Sequence, residues 1–245
     1  MDHADLNSKN PHADRLMFYG RRHGRRLRPR QAEYLENGMA RFGLAEDLQH
    51  LAPASLDPKT LFETPPQDIY LEIGFGGGEH LAARALEAPQ TGFIGAEPFM
   101  NGVASLCRHL IDNKSENTRI WPEDVRLLLP AFKPQSFAGV FVLFPDPWPK
   151  FRHQSRRIIQ QPMLDELHRL IKPQGTLLLA SDEPTAKTWM LSQMMRRQDF
   201  SWQAQSNQDW QTPPEGWPSS EFATRYMAKA NREGRRSSWF TFNRL

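Results

Sequence analysis

The sequence of 245 residues has a single cysteine, Cys107, and no long apolar run. One cysteine excludes an internal disulfide, so we expect a reducing, cytoplasmic environment in which Cys107 is a small buried hydrophobic residue. The eight histidines are scattered and no cysteine pair exists, so no metal site is predicted. No segment approaches the length of a membrane span, and the N-terminus lacks the apolar core of a signal peptide.

The net charge is only +3, but it is unevenly distributed along the chain. Residues 1–30 and residues 224–245 each carry a net charge of +5, which leaves −7 on residues 31–223. This asymmetry favours a polyanion bound by the two ends and a cationic or polar ligand bound by the middle. The alternative is a pair of solvated charged tails.

The chain divides into a basic N-terminal region, 1–60, and a domain of alternating strands and helices, 61–245. Residues 1–30 lack apolar periodicity, and six of the eleven residues at 20–30 are arginine, which predicts a flexible basic arm. A short helix is predicted at 31–44, before a proline-bearing connector. Buried strands are predicted at 69–73, 93–96, 119–121, 140–144 and 177–180. The alternation predicts an α/β fold with a doubly wound, Rossmann-like parallel sheet.

A glycine cluster follows the first predicted strand, where a ligand can approach the backbone closely. It contains Gly74, Gly76 and Gly78. A dinucleotide fingerprint starting at Gly74 would need a third glycine at position 79, but Glu79 stands there and would repel a pyrophosphate. Glu72 adds a second negative charge before the loop. A nicotinamide cofactor is therefore disfavoured, whereas S-adenosylmethionine, which has no phosphate and carries an ammonium and a sulfonium, suits this acidic rim.

Two further carboxylates follow the next two predicted strands. Glu97 ends the second strand, at the distance from the glycine loop where an acidic residue accepts hydrogen bonds from ribose hydroxyls in Rossmann-like folds. Asp124 follows the third strand, where it can accept a hydrogen bond from an adenine amino group. Either residue alone is equally well explained as an exposed turn carboxylate. Together with the glycine loop, at consecutive strand ends, they favour a cofactor site.

The loop after the fourth strand, residues 144–157, is the most specific stretch of the chain. Prolines on both sides fix Asp146 and Trp148 in a rigid loop, as catalysis by positioning requires. A basic strip follows at once, made of Lys150, Arg152, His153, Arg156 and Arg157. An acid at a reaction centre beside a strip that can bind phosphate suits a nucleic-acid base as methyl acceptor. The alternative is a proline-stiffened surface loop with solvated arginines.

The same loop resembles a known family. Residues 144–160, with Phe-Pro-Asp-Pro-Trp-Pro-Lys, Arg-His and Arg-Arg-Ile-Ile-Gln, are similar to the signature of the tRNA (guanine-N7)-methyltransferases, which are class I S-adenosylmethionine-dependent enzymes. Four further segments fall in the order that this family shows: 71–78, 95–106, 181–184 and 224–239. The resemblance covers roughly residues 65–245, and the arm around Gly20 also resembles the N-terminus of the family.

This resemblance implies S-adenosylmethionine as methyl donor, tRNA as substrate, and N7 of a guanosine at position 46 of the variable loop as acceptor. It implies that the cofactor pocket is lined by Glu72, Glu97, Asp124 and Asp146, with Asp146 at the active site. Implied substrate contacts are Lys150, Asp182, Thr224, Arg225, Tyr226 and Met227. The family usually has glutamate where this chain has Met227, so one of these contacts differs.

The residues themselves leave alternatives open. One is another class I methyltransferase that acts on a protein or a small molecule, and the other is a catalytically inactive RNA-binding module. A monomer and a homodimer fit the sequence equally well.

The arm generates a prediction about salt. Each arginine that pairs with a phosphate displaces condensed counterions. Deleting residues 1–30 should therefore weaken tRNA binding and make the slope of log affinity against log salt concentration shallower by about 0.7–0.9 per lost contact. Cofactor affinity is expected to stay the same, because the sheet forms the pocket. The measurement is tRNA affinity of full-length and truncated protein at several salt concentrations, and equal slopes would mean that the arm is only a solvated tail.

Overall fold

Seven strands form one open sheet in the computed structural model, which describes residues 19–218, 230 and 232–245. In chain order they are β1 (Ile69–Ile73), β2 (Gly92–Ala96), β3 (Thr118–Trp121), β4 (Phe137–Leu143), β5 (Ile171–Ser181), β6 (Phe200–Trp202) and β7 (Ser238–Arg244). Their order across the sheet is β3-β2-β1-β4-β5-β7-β6. Strands β1 to β5 pair in parallel, whereas β7 is antiparallel to β5 and β6.

The strand register brings the ends of the central strands together. Ile73 at the end of β1 pairs with Ala96 of β2 on one side and with Val142 of β4 on the other, and Ala96 pairs with Trp121 of β3. The chain order reverses between β1 and β4, which makes this the topological switch point where open α/β sheets bind ligands. The loops that follow these four strands therefore meet at one edge of the sheet.

Helices cover both faces of the sheet. They are α1 (Pro29–Phe42), α2 (Glu79–Glu87), α3 (Met100–Asn113), α4 (Val125–Leu128), α5 (Gln161–Leu170), α6 (Pro184–Met194) and α7 (Gln208–Gln211). Short 3-10 turns lie at Glu46–His50, Pro58–Leu61, Leu129–Ala131 and Phe151–Arg156. One apolar core contains side chains of α1, α2 and α3, and a second contains side chains of α4, α5 and α6. The predicted doubly wound α/β arrangement is confirmed.

Two strands were not predicted from the sequence. In β7, Phe240 and Phe242 pack into the larger core while Thr241 between them is half-buried, a period-2 pattern that the basic composition of the C-terminal region obscured. The three-residue β6 is too short to give a periodic signal. Strand β5 also begins at Ile171, directly after α5, instead of at Leu177, and this early part is irregular, since Gln174 has a φ of +62° and the register with β4 shifts between Phe137 and Gly139.

Helix α1 of the N-terminal region belongs to the same fold. Helix α1 packs along α3, where Gly38 lies directly against Cys107. Leu44 donates its backbone N–H to the carbonyl of Ile120 at the edge strand β3 (2.8 Å). Cys107 is fully buried, and burial raises the pKa of its thiol to about 12, so its predicted role as a small buried hydrophobic residue is confirmed. None of the helices within the described ranges is long and apolar enough to span a membrane.

Helix α3 approaches the glycine loop so closely that only glycine fits at position 102. A Cβ there would lie 2.0 Å from the carbonyl oxygen of Gly76. Gly102→Ala should therefore destabilise the protein by about 1–3 kcal/mol through overpacking, with a loss in Tm of roughly 2–4 °C per kcal/mol. Ser105→Ala, at a half-buried position of the same helix, is the control. Equal Tm values for the two variants would contradict the steric argument.

Candidate active site

A cavity of about 890 Å³ opens at the carboxyl ends of β1 to β4. Its volume lies within the range of sites for small molecules and cofactors. Three predicted site carboxylates line it: Glu97, Asp124 and Asp146. The structure therefore brings together side chains that are up to 49 positions apart in the sequence.

Two of the three predicted glycines lie in the cavity wall. Gly74 and Gly76 have φ values of +74° and +57°, which favour glycine. A Cβ on Gly74 would meet open space, so the backbone there is accessible to a ligand. Gly78 lies behind the wall, where a Cβ would come within 2.6 Å of Leu106. Its role is the close packing of α2 on α3, and the predicted cofactor contact of Gly78 does not match this position.

Glu97 fastens the glycine loop to the second strand. Its carboxylate accepts hydrogen bonds from the backbone N–H groups of Gly76 and Phe99, both at 2.9 Å. Burial raises the pKa of Glu97, and the two backbone hydrogen bonds oppose that shift. Each carboxylate oxygen keeps a lone pair beyond these bonds, so Glu97 can accept from a pair of vicinal hydroxyls in the cavity.

Asp124 is held by its own helix. It caps the N-terminus of α4 by accepting the backbone N–H of Arg126 at 2.9 Å, and it also forms an ion pair with the Arg126 guanidinium at 2.5 Å. This arginine partner was not predicted, although it is only two positions away in the sequence. Arg126 also lines the cavity, and it balances one of the four carboxylates there, which are Glu97, Asp124, Asp146 and Glu166.

Glu72 lies away from the cavity. Its carboxylate is 2% exposed and makes a 2.7 Å hydrogen bond with Nδ1 of His80, which is equally buried. The His80 ring lies 4.7 Å from Trp217 between ring centres. A direct contact of Glu72 with a bound cofactor would require its carboxylate to leave His80. The side chain alternates to the opposite face of β1 from its neighbours Leu71 and Ile73, which explains this placement.

The loop after β4 is held in an unusual backbone conformation. Phe144 and Trp148 have positive φ values of +52° and +41°, which side-chain-bearing residues rarely adopt. Asp146 lies between them, exposed and on the cavity wall. Such strain concentrates at functional sites, where the surrounding structure maintains it. The predicted rigid presentation of Asp146 agrees with this geometry.

Arg157 maintains the loop from the inside. Its guanidinium donates to the carbonyls of Pro147 (3.1 Å) and Trp148 (2.9 Å), and it lies 4.5 Å from the centre of the Trp189 ring. The guanidinium of Arg157 therefore already makes two hydrogen bonds and one ring contact within the protein. Arg157 positions the loop and also lines the cavity, so its predicted contact with the substrate stays a prediction.

The other members of the basic strip point in different directions. Lys150 and Arg152 are exposed, whereas Arg156 lies between the rings of Tyr19 (4.7 Å) and Trp148 (4.9 Å). The pKa of His153 is lowered by desolvation and then by the charges of Arg156, Arg152 and Lys150. The positive charges of this strip therefore act together on His153.

The arm is attached to the body from residue 19 onward. Tyr19, Gly20 and Arg21 line the cavity. The carbonyl of Arg22 accepts the N–H of Met100 at 2.9 Å, and the Asn101 side chain bonds the backbone at both Gly24 and Arg25 (2.8 Å each). Arg22 also forms an ion pair with Glu123.

The predicted arm therefore contacts the body within residues 19–25, and its residues 19–21 join the cavity wall. Deletion of the arm was expected to leave cofactor affinity unchanged because the sheet forms the pocket. The arm also lines the pocket, so this reason no longer holds. Polar backbone bonds and an ion pair hold the segment, so it carries no apolar periodicity to detect. The opposite charges of arm and body were the signal that could have indicated this contact.

The remaining predicted contacts lie apart from the cavity. Asp182 forms a 2.7 Å ion pair with Arg235 and does not line the cavity, so its carboxylate is already paired within the protein. The segment Thr224, Arg225, Tyr226 and Met227 lies outside the described residues. Across the described ranges, no group of three or more His, Cys, Asp or Glu side chains is arranged to hold a metal ion.

These features define a class of protein. A sheet in this strand order, with an open glycine loop after β1, a carboxylate after each of β2 and β3, and a proline-stiffened acidic loop after β4, is that of a class I S-adenosylmethionine-dependent methyltransferase. The cavity fits that cofactor. Gly74 leaves room for it, Glu97 offers acceptors for the ribose, and the carboxylates complement its positive charge.

Comparison with known proteins identifies the family within that class. Residues 66–239 match the family described as "Putative methyltransferase". The tRNA (guanine-N(7)-)-methyltransferase of Mesorhizobium japonicum is 45% identical over 93% of this chain and 94% of its own length. The enzymes of the same name from Rhizobium johnstonii and Brucella melitensis are each 43% identical over the same shares. The chain belongs to the tRNA (guanine-N(7)-)-methyltransferase family.

Solved structures of low sequence identity share the fold. The crystal structure of PH0851 superposes on this chain with a TM-score of 0.53 at 13% identity, over 74% of this chain and 43% of the other.

Glu97 is the site residue whose loss should affect the cofactor most directly. Glu97→Ala should weaken S-adenosylmethionine binding by about 2–3 kcal/mol, the scale of hydrogen bonds to a charged group. Burial raises the pKa of Glu97, so its carboxylate should become protonated at a higher pH than that of an ordinary glutamate. The cofactor affinity of the wild-type protein should fall as the pH is lowered through that pKa. Glu97→Gln should remove this pH dependence. Calorimetric titration across pH measures both effects. Glu87→Ala, at an exposed position of α2, is the control, and unchanged affinity in a folded Glu97→Ala variant would refute the assignment.

Proposed function

We propose that this chain transfers the methyl group of S-adenosylmethionine to N7 of a guanosine in tRNA, at position 46 of the variable loop. Membership of the tRNA (guanine-N(7)-)-methyltransferase family supports the reaction and the substrate. The position in tRNA rests on the sequence resemblance alone. With one buried thiol, the chain suits a reducing compartment, and we assign its tRNA modification to the cytoplasm.

The placement of Asp146 is the observation that carries the proposal. Its carboxylate is exposed on the wall of the cavity that holds Glu97 and Asp124, and the loop that presents it continues directly into the basic strip. An acceptor base bound at Asp146 would have its own phosphates beside Lys150 and Arg152. The same loop thus offers one contact for the base and others for its backbone, as recognition of a nucleotide requires.

The lining of the cavity agrees with N7 as the acceptor. Guanine N7 has a lone pair and no proton, so its methylation needs no general base. The carboxylates that line the cavity therefore have no proton to remove from N7 and can act through their charge alone. S-adenosylmethionine, when bound, supplies a methyl group activated by its sulfonium. What the protein has to contribute is alignment, which the strained loop and the clamped glycine loop provide.

Asp146 also has an electrostatic role. Methylation of N7 places positive charge on the purine, and a carboxylate fixed next to it stabilises that charge as it develops. Arg157 holds the carbonyls of Pro147 and Trp148, directly after Asp146, so the backbone that presents the carboxylate is fixed before the reaction. Arg156 and Trp148 form the adjoining wall.

The chemical identity of the product tests the proposal directly. Incubation of the protein with S-adenosylmethionine and unmodified tRNA should yield 7-methylguanosine on nucleoside analysis by mass spectrometry, at one position of the variable loop. Transfer of a labelled methyl group to protein or to small molecules, with none to tRNA, would instead support the alternative methyltransferase. Cofactor binding without any transfer would support an inactive RNA-binding module.

Asp146→Ala should reduce turnover much more than binding. Loss of one preorganised electrostatic contact at a reaction centre costs on the order of 10²-fold in kcat, whereas the phosphate contacts of the basic strip remain. Asp47→Asn, at an exposed aspartate in the turn Glu46–His50, is the matched control. Labelled methyl transfer at saturating cofactor and tRNA gives kcat, and filter binding gives tRNA affinity. Wild-type turnover in Asp146→Ala would contradict the proposed role.

A further inference from the structure

The basic strip carries one aromatic side chain that faces solvent. Phe151, the first residue of the turn Phe151–Arg156, is 82% exposed. The other exposed large hydrophobic residues in the described part of the chain range from 37% to 67%. Scattered exposed apolar residues are common in soluble proteins, so the position of Phe151 matters more than its exposure alone.

The neighbours of Phe151 are positively charged. Lys150 and Arg152 flank it in the sequence, and both are exposed. Desolvation lowers the pKa of His153, and the charges of Arg156, Arg152 and Lys150 lower it further, which agrees with a cluster of cations at this turn. An apolar protein surface that bound the Phe151 ring would also bury the neighbouring cations, and their desolvation would be costly. It suits a nucleic acid, which offers phosphates to the cations and a base face to the ring.

The turn that presents Phe151 is fixed relative to Asp146. His153 donates its N–H to the carbonyl of Lys150 (2.9 Å), the Gln160 side chain donates to the carbonyls of Gln154 (2.7 Å) and Arg157, and Arg157 holds the loop before it. Phe151 and Asp146 are five residues apart, so their Cα atoms are separated by at most about 18 Å. A base on Phe151 therefore belongs to a near neighbour of the nucleotide at Asp146.

A stacking contact from the protein would compensate for moving the target base into the cavity. A base that enters an enzyme pocket has to leave its stack, at a cost of a few kcal/mol, and it uncovers the face of its neighbour. Tyr19 and Trp148, the aromatic residues nearer the cavity, already stack on Arg156. Phe151 is the remaining aromatic ring on the strip, and its face is open to solvent.

We propose that Phe151 stacks on the base next to the target guanosine and replaces the stacking that this base loses when the guanosine enters the cavity. The inference rests on the proposed function and extends it to a second nucleotide of the tRNA. Every base has an aromatic face, so the contact tolerates any neighbour and contributes affinity without sequence selectivity. Lys150 and Arg152 hold the phosphates on either side.

Steady-state kinetics with tRNA give the first test. Phe151→Ala should lower kcat/KM for tRNA about 5- to 150-fold, the range expected for loss of one base–aromatic stack, and Phe151→Tyr should restore it. Affinity for S-adenosylmethionine should stay at the wild-type value, because Phe151 does not line the cavity. Leu86→Ala removes an exposed apolar side chain from α2 and should leave every value unchanged.

A direct spectroscopic test uses Phe151→Trp. The emission that this variant adds over the wild-type protein should be quenched by tRNA, as expected when a base stacks on the new indole. Wild-type kcat/KM in Phe151→Ala, absence of quenching in Phe151→Trp, or dissociation of a wild-type dimer by Phe151→Ala in sedimentation would each overturn the inference. Failure of the proposed function is distinguishable, since the wild-type protein would then transfer no methyl group to tRNA at all.

Discussion

The site depends on one carboxylate that holds backbone on two sides. Glu97 accepts the N–H of Gly76 from the loop after β1 and the N–H of Phe99 from the start of α3. These bonds fix the glycine loop against the second strand, and the close approach of Gly102 completes the contact from α3. The cavity floor therefore keeps its shape through a half-buried carboxylate whose partners are backbone amides. Glu97 also lines the cavity, so the side chain that holds the loop forms part of the wall that a ligand would meet.

Opposite charges organise the rest of the site around this point. The acidic body attracts its own basic arm, through Arg22 and Glu123, and the cavity acid Asp124 is balanced by Arg126. Lys150 and Arg152 remain exposed to solvent. The basic residues therefore divide into those that build the cavity and those available to a polyanion. The distribution of charge along the sequence shows where basic residues are concentrated. It does not show which of them build the cavity and which are available to a polyanion.

Much of the fold could be predicted because its signals are local. The strand ends that place Glu97, Asp124 and Asp146 follow from short apolar runs and their order, and the structure brings these residues to one cavity. The sequence could not indicate that Glu72 points towards His80. Which face of β1 a side chain occupies depends on how other elements pack on the two faces of the sheet. Nor could it separate Arg157 from Arg156, since their partners Trp189 and Tyr19 are distant in the chain.

The contact between Gly102 and Gly76 also limits how this sequence can diverge. The helix position and the loop position are 26 residues apart, yet a methyl group on one meets the main chain of the other. A side chain at position 102 is tolerable only if α3 moves away, and α3 carries Asn101, which anchors the arm. Drift at one small residue would therefore propagate to the arm as well as to the loop. Among related sequences, glycine at this position should persist even where the surrounding helix surface has changed completely.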